Sequence, residues 1–315
     1  MKKRFLTIAL TIVFLAVFSV AFFFIYTNKS VLGEQTDVIW DGSTVATSFS
    51  GGNGTKDNPY LIRNGEELAY LKNVLDSEQA EGYKGLYYEL TADINLGSHD
   101  LGPIALDTTF SGTLDGKGHV IKNVSITGEN DSEKDNYYGL FGNIDNAKIN
   151  NLNIDEMKIT VKGAGVTYLG ALAGKVNNET ETKNSITNIS LKGIEIDLTE
   201  AELAEESNVG TIIGEIGTNY EIRNIVVYGS INASSNDYIS KLTNMTSSDI
   251  NNVVYDIKSE LELQKEEHKE ETKIENVYEF KDNKYYLGEE EKSLESILVA
   301  FNKELNDYKW ELVED

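Results

Sequence analysis

Cysteine is missing from this chain of 315 residues, which excludes thiolate metal sites and a lipid-modified cysteine anchor. Proline is nearly missing too: 2 residues, against 26 glycines and 17 tyrosines, a balance that fits a globular chain of strands and turns. The three histidines, His99, His119 and His268, are not at ligand spacing, and no HExxH or GxSxG motif occurs. Positive charge is scarce. Lys and Arg number 28 against 52 Asp and Glu, a net charge of −24. Residues 1–33 hold four basic side chains (Lys2, Lys3, Arg4, Lys29) and no acidic one, so the remainder carries −28. Such a surface repels phosphate backbones, which argues against nucleic acid as a partner. No Asp-x-Asp-x-Asp-Gly loop accompanies the acidity. The charge reads as a solvated surface, and neither metal nor cofactor is expected.

What is present begins with residues 5–26, which are 22 residues without a charge. A bilayer takes about 20, and the basic residues 1–4 ahead of them favour a cytoplasmic N-terminus with the rest of the chain outside. Val31, Leu32 and Gly33 before Glu34 make a small-residue cleavage site. The apolar run exceeds the roughly 7–15 residues of a signal peptide. An uncleaved single-pass anchor is therefore the expectation, and release near Gly33 the alternative. Residues 27–45 read as a polar linker.

A repeat organises the rest. Ile-x-Asn followed by an aliphatic residue occurs around Asn123, Asn151, Asn188, Asn224, Asn252 and Asn276, with spacings of 28, 37, 36, 28 and 24 residues. Recurrence at such a period marks stacked-repeat architecture. In a plain strand, residues facing one side are two apart. Here the two aliphatics are three apart, so one residue has gone into a bend, and asparagine is the best non-glycine residue for a left-handed position. Strand, one-residue bend, strand is the corner of a parallel β-helix. Its asparagines are expected to stack as a hydrogen-bonded ladder, with Asn123, Asn151, Asn188 and Asn224 in register.

A second repeat lies between these corners. Residues 138–144 (YGLFGNI), 170–176 (GALAGKV) and 210–216 (GTIIGEI) align, placing Leu140, Leu172 and Ile212 on one face with Gly142, Gly174 and Gly214 beyond them. A glycine at a fixed strand position marks a close approach. Together with the run FSGTLDGKGH at 110–119 and LTADINLG at 90–97, these units resemble bacterial surface proteins carrying GLUG motifs. Over residues 50–230 that resemblance implies a right-handed β-helix on an adhesin-like, cell-surface protein. The family's motifs are structural and imply no activity.

The resulting expectation is all-β: a right-handed parallel β-helix at 85–280, an N-terminal transmembrane helix, and short capping helices at each end. Residues 46–84 form the entry segment. Its glycine-rich stretch at 50–55 lacks the Gly-Lys-Ser/Thr of a phosphate loop and reads as a turn. Asn64 with Glu67 makes a capping box for a helix whose stripe is Leu68, Leu71 and Leu75. Within 281–315, Ser293 precedes Leu294, Ile297, Leu298, Phe301 and Leu305 at helical spacing. This second helix is expected over the far end of the stack, with docking on its side as the alternative. Residues 256–273, rich in Glu and Lys, read as a solvated, helical excursion.

Catalysis on such a scaffold needs two carboxylates about 5–10 Å apart. No outward row that can be placed stacks two of them: beside the bend stand Lys122, Asn150, Thr187, Arg223, Asn251 and Glu275, after it Ser125, Asn153, Ser190, Val226, Val254 and Tyr278. Asp93 and Asp115 invite a catalytic role, but Asp115 precedes Gly116 in a strong turn signal and both read as structural. Tyr137, Tyr138 and Tyr168 flank the glycine repeats, where aromatic faces stack on sugar rings or fill the core. The function expected is an anchored extracellular module for adhesion or for binding a surface glycan or protein, without catalysis. The alternatives are a polysaccharide lyase or hydrolase with its site in loops 127–136, 177–184 or 198–208, and a structural part of a cell-surface assembly.

Overall fold

The computed structural model describes residues 23–27, 38–177, 184–263, 267–268, 273–303 and 309–313. The basic start, residues 5–22 of the uncharged run and the cleavage site at 31–33 lie outside the described residues. The strand Phe23–Thr27, which takes in the last four residues of that run, is paired antiparallel with Lys309–Val313. Its extended backbone does not continue a helix. Among the described residues no helix is long and apolar enough to cross a membrane.

The described residues are all-β, with two helices among them, Gly65–Leu75 and Leu294–Asn302, and one 3-10 turn, Ala80–Tyr83. Besides the strand pair at 23–27, the described strands form sheets of twelve, five and three. Pairing is parallel along the repeat. Ile149, Ile186, Ile222, Ile250 and Ile274 are in register, and so are Leu152, Ile189, Ile225, Val253 and Val277. The first four of each row are buried. Each such side chain contributes about 1.5–3 kcal/mol on leaving water, so the two rows bind each repeat to the next.

Between the two aliphatics of each repeat stands the asparagine. Asn151, Asn188, Asn224, Asn252 and Asn276 have φ of 58°, 60°, 56°, 56° and 53°, the left-handed region asparagine tolerates. Their amides link one repeat to the next. Asn188 Nδ2 donates to Asn151 Oδ1 at 3.0 Å, Asn224 to Asn188 at 2.9 Å, Asn252 to Asn224 at 3.0 Å and Asn276 to Asn252 at 3.2 Å. A carboxylate heads the row, where Asn151 Nδ2 donates to Asp115 Oδ1 at 2.9 Å.

Asn123 corrects the expected register. Lys122 pairs with Asp155 and Val124 with Met157, which sets Asn123 opposite Glu156 and not Asn151; Gly193 follows in the same row. Their φ values of 55°, 58° and 62° make this a second corner, and Asn123 Nδ2 donates there to Asn95 Oδ1 at 2.9 Å. The physical reason is that each long strand, such as Lys148–Gly165, bends twice. Either bend is open to asparagine, but at the second one the later repeats use Glu156 and Gly193.

The glycine repeat stacks as Phe141–Asp145, Ala173–Asn177 and Ile213–Ile216, all parallel. A Cβ on Gly174 would lie 2.6 Å from the Tyr168 carbonyl oxygen and 2.9 Å from that of Gly142. The row runs on without glycine through Met245–Thr246 and Glu267–His268. Thus the described part of 256–273 holds strand and no helix; residues 264–266 and 269–272 lie outside the described residues.

Helix Gly65–Leu75 is capped by Asn64, which accepts from Glu67 N at 3.0 Å, while Glu67 Oε2 accepts from Arg63 N at 2.8 Å. Its Leu68, Leu71 and Leu75 join the main core. Helix Leu294–Asn302 lies on the side of the stack, where the end position was expected. Ile297 and Phe301 pack with Val226, Val254 and Tyr278, and Asn224 Nδ2 donates to the Phe301 carbonyl at 3.2 Å. The cause is a change in the outward row: Asn153 and Ser190 give way in register to Val226, Val254 and Tyr278. That apolar stripe has to be covered.

Candidate functional site

Loop 131–136 is fixed by one buried side chain. Asn136 Nδ2 donates to the carbonyls of Asp131 (2.9 Å), Lys134 (3.0 Å) and Val166 (3.0 Å), and its Oδ1 accepts from Asp131 N at 2.9 Å. Strand Asn136–Tyr138 follows and pairs in parallel with Thr167–Leu169, which pairs with Asn208–Val209. The row runs on from Val209 to a bridge with Ile239, and among the described residues Asn136–Tyr138 is the edge strand at its other side.

The register brings Tyr137 opposite Tyr168. Their rings stack with centroids 5.2 Å apart and planes 16° from parallel. Lys175 Nζ stands 4.4 Å from the Tyr168 ring centre and pairs with Glu215 at 3.2 Å. Tyr168 is held up at about 12, by burial first and then by Glu215. Burial and the neighbouring Asp135 likewise push Tyr137 well above the usual phenol range. Its hydroxyl donates to Asp135 Oδ2 at 3.2 Å, so both phenols are neutral donors at physiological pH.

Tyr138 stands apart from this pair. It is buried in the main core, and a Cβ on Gly128 would lie 2.0 Å from its ring. Glycine at 128 is what makes room for the ring.

Tyr137 lines an open cleft of about 810 Å³, within the range of ligand sites. Glu129, Asp131 and Asp135 enter it from loop 127–136, and Asp107 and Glu81 from a preceding segment; its lysines are Lys134 and Lys84, the latter paired with Glu81. Loop 127–136 was legible as a candidate from its sequence. The contributions of Asp107 and Glu81 were not, because nothing local to residues 80–107 signals that they meet the loop.

Asp93 and Asp115 serve the backbone. Asp93 Oδ1 lies 3.0 Å from His119 Nδ1 and accepts from Val120 N at 3.1 Å, and the His119 hydrogen bond holds its carboxyl below the ordinary range against the opposing effect of burial. Asp115 Oδ1 accepts from Lys117 N and from Asn151 Nδ2, both at 2.9 Å. Among the described residues, no three His, Asp or Glu side chains are placed to hold a metal.

No protein-family profile matches the chain. Halomucin of Haloquadratum walsbyi is 32% identical over 174 residues, which is 51% of this chain and 2% of that protein. A protein of Evansella cellulosilytica, provisionally named a Gly-rich membrane protein, is 34% identical over 171 residues, 52% of this chain and 17% of that protein. The chain thus spans a small part of each relative. A Bacteroides ovatus structure, provisionally described as an immunoglobulin A1 protease, aligns over 81% of this chain and 90% of its own at 17% identity, with a TM-score of 0.39.

Proposed function

We propose that this chain is a surface-displayed protein of the GLUG-motif kind, wound as a right-handed parallel β-helix, which binds a ligand outside the cell without transforming it. The cleft beside the Tyr137–Tyr168 stack carries the reading: it joins a rigid aromatic wall to polar groups on a fixed loop, the ordinary make-up of a binding site. Parallel register along repeated left-handed corners supports the β-helix, and parallel crossovers are right-handed in nearly all proteins. The names of the two relatives, Halomucin and a Gly-rich membrane protein, support display at the membrane or surface. Residues 5–22 still supply 18 uncharged residues ahead of the strand at Phe23, enough for a short span of about 17–25 residues. The N-terminus then lies inside and the β-helix outside.

A polysaccharide hydrolase or lyase is the second reading, favoured by the carboxylates Asp107, Glu129, Asp131 and Asp135 on one cleft. The test uses intact cells displaying the full chain or its Tyr137→Ala variant, probed with glycan and protein arrays and treated with external protease. The reading expects protease to remove the domain and Tyr137→Ala to lower ligand retention by about tenfold. Protection from protease, or retention that ignores the substitution, contradicts it. Release of sugar fragments would favour the enzyme.

A further inference from the structure

We infer that the cleft is a slot for an extended, basic peptide segment of another protein, which adds a strand to the edge at Asn136–Tyr138. This rests on the reading of the chain as a binding module and gives its ligand a chemical class.

The backbone makes the first part of the case. In a parallel pair, alternate residues turn their N–H and C=O to opposite neighbours. Asn136 N donates to the Val166 carbonyl at 2.9 Å, and the Tyr138 carbonyl accepts from Gly170 N at 3.1 Å, both toward Thr167–Leu169. The intervening Tyr137 therefore turns its N–H and C=O the other way, to the side where the sheet ends. In the adjacent row the preceding segment does fill the corresponding places, bridging Ile104 to Phe141 and Phe110 to Ile144. Between those two bridges the chain bows out through Asp107. Beside Asn136–Tyr138 no described strand pairs on that side, and the space left is the cleft. All three residues of the edge line it.

The side chains specify what fits. One face of Tyr137 is taken by Tyr168, one rung away in the sheet. A strand added on the other side, about 4.8 Å off, would lay its own side chain on the remaining face, where an aromatic ring or a cation is favoured. Around that position stand Asp107, Glu129, Asp131 and Asp135, against Lys134. Acidic groups beside an open edge repel other copies of a chain that carries −24, so a second copy does not suit the slot. The same groups select a basic strand. The peptide class is favoured over a cationic sugar because the edge offers backbone donors and acceptors at strand spacing, the basis of peptide recognition by strand addition. Asn136 holds the edge in place beforehand, which lowers the ordering cost of binding.

The test is calorimetric titration of the full-length protein in detergent with the blocked hexapeptide acetyl-KYKVKV-amide. Its controls are the same peptide with Glu for Lys, two versions N-methylated at alternate residues, and a fully deacetylated hexosamine hexamer. The inference expects the basic peptide to bind and the acidic one not to. One N-methylated version should lose binding and the other keep it, because only alternate N–H groups face the edge. The double variant Asp107→Lys/Glu129→Lys, both at exposed positions, should weaken binding by about tenfold or more, with its melting temperature unchanged as the check on folding. Binding that survives both N-methylated versions, or that ignores the double variant, overturns the inference. Binding of the hexosamine hexamer without the peptide overturns the peptide class and leaves the binding-module reading standing. Binding of none of these probes overturns the inference, while arrays that still retain a ligand through Tyr137 would keep the broader reading.

Discussion

Asn188 reaches down to Asn151 with its side-chain amide at 3.0 Å, and that bond joins two repeats at a left-handed corner. Asn188 also accepts from Asn224 at 2.9 Å and is buried. Replacing it by alanine leaves a neighbouring donor and acceptor unsatisfied, at roughly 1–3 kcal/mol, and removes the short polar side chain that makes the left-handed region tolerable to asparagine, at about 1 kcal/mol more. Asn188→Gly keeps the corner accessible and is expected to be milder. At Asn276, the half-buried end of the row, alanine is expected to cost less than at Asn188. Urea unfolding of the full chain with each substitution checks the order. Equal losses at Asn188 and Asn276 would mean that the asparagines do not act as a ladder.

Gly174 tests the other repeat. An added Cβ meets backbone atoms of three residues: the Tyr168 oxygen at 2.6 Å, the Gly142 oxygen at 2.9 Å and the Tyr138 nitrogen at 3.0 Å. Backbone held by parallel pairing cannot give way cheaply, so Gly174→Ala is expected to cost about 1–3 kcal/mol. At Gly82 a Cβ meets nothing within 4 Å, and Gly82→Ala is expected to be neutral or slightly stabilising. Thermal melting of the two variants side by side gives the answer.

Two aspartates are expected to respond to pH in opposite senses. Asp93 is held below its ordinary value, chiefly by the His119 hydrogen bond. Its contribution is therefore present above the unfolded value of about 3.9 and is lost as pH falls through the folded value. Asp256 is raised, first by burial and also by Glu279, with Lys258 and Lys241 opposing. Ionising it costs stability, a cost that grows as pH rises from the unfolded value through the folded one. Asp93→Asn should thus destabilise at neutral pH and converge on the parent in acid. Asp256→Asn should stabilise at neutral pH and also converge in acid. Urea midpoints at about pH 7 and about pH 3 separate the two, and the same sign for both would contradict the assignment.

Much of the architecture was legible in residues, for physical reasons. Isoleucine and leucine three apart with asparagine between them can face one side only if the asparagine turns left-handed, and that local constraint fixes the corner at Asn151, Asn188, Asn224, Asn252 and Asn276. Three features were not legible in the same way. Asn123 carries the same local sequence but turns the other corner, whose remaining members, Glu156 and Gly193, share no residue type with it. The side docking of Leu294–Asn302 is written in Val226, Val254 and Tyr278, apolar where Asn153 and Ser190 are polar, yet that row has meaning only once the register is known. The cleft arises where no described strand pairs beside Asn136–Tyr138, and a repeat in sequence marks strands that exist.

The chain's lack of cysteine allows the register to be read directly by engineered cross-links. Neighbouring parallel strands lie about 4.8 Å apart, inside the roughly 4.4–6.8 Å that a disulfide spans between Cα atoms. Lys122 pairs with Asp155, and Thr187 pairs with Arg223. Mild oxidation of full-length protein should therefore form a disulfide in Lys122→Cys/Asp155→Cys and in Thr187→Cys/Arg223→Cys, read as intact mass two hydrogens lighter. Lys122→Cys/Asn150→Cys should stay reduced, because Asn150 pairs with Asp115 and Thr187 on another face. A disulfide in that third variant, with none in the first two, would contradict the two-corner parallel stack on which the site and its proposed ligand rest.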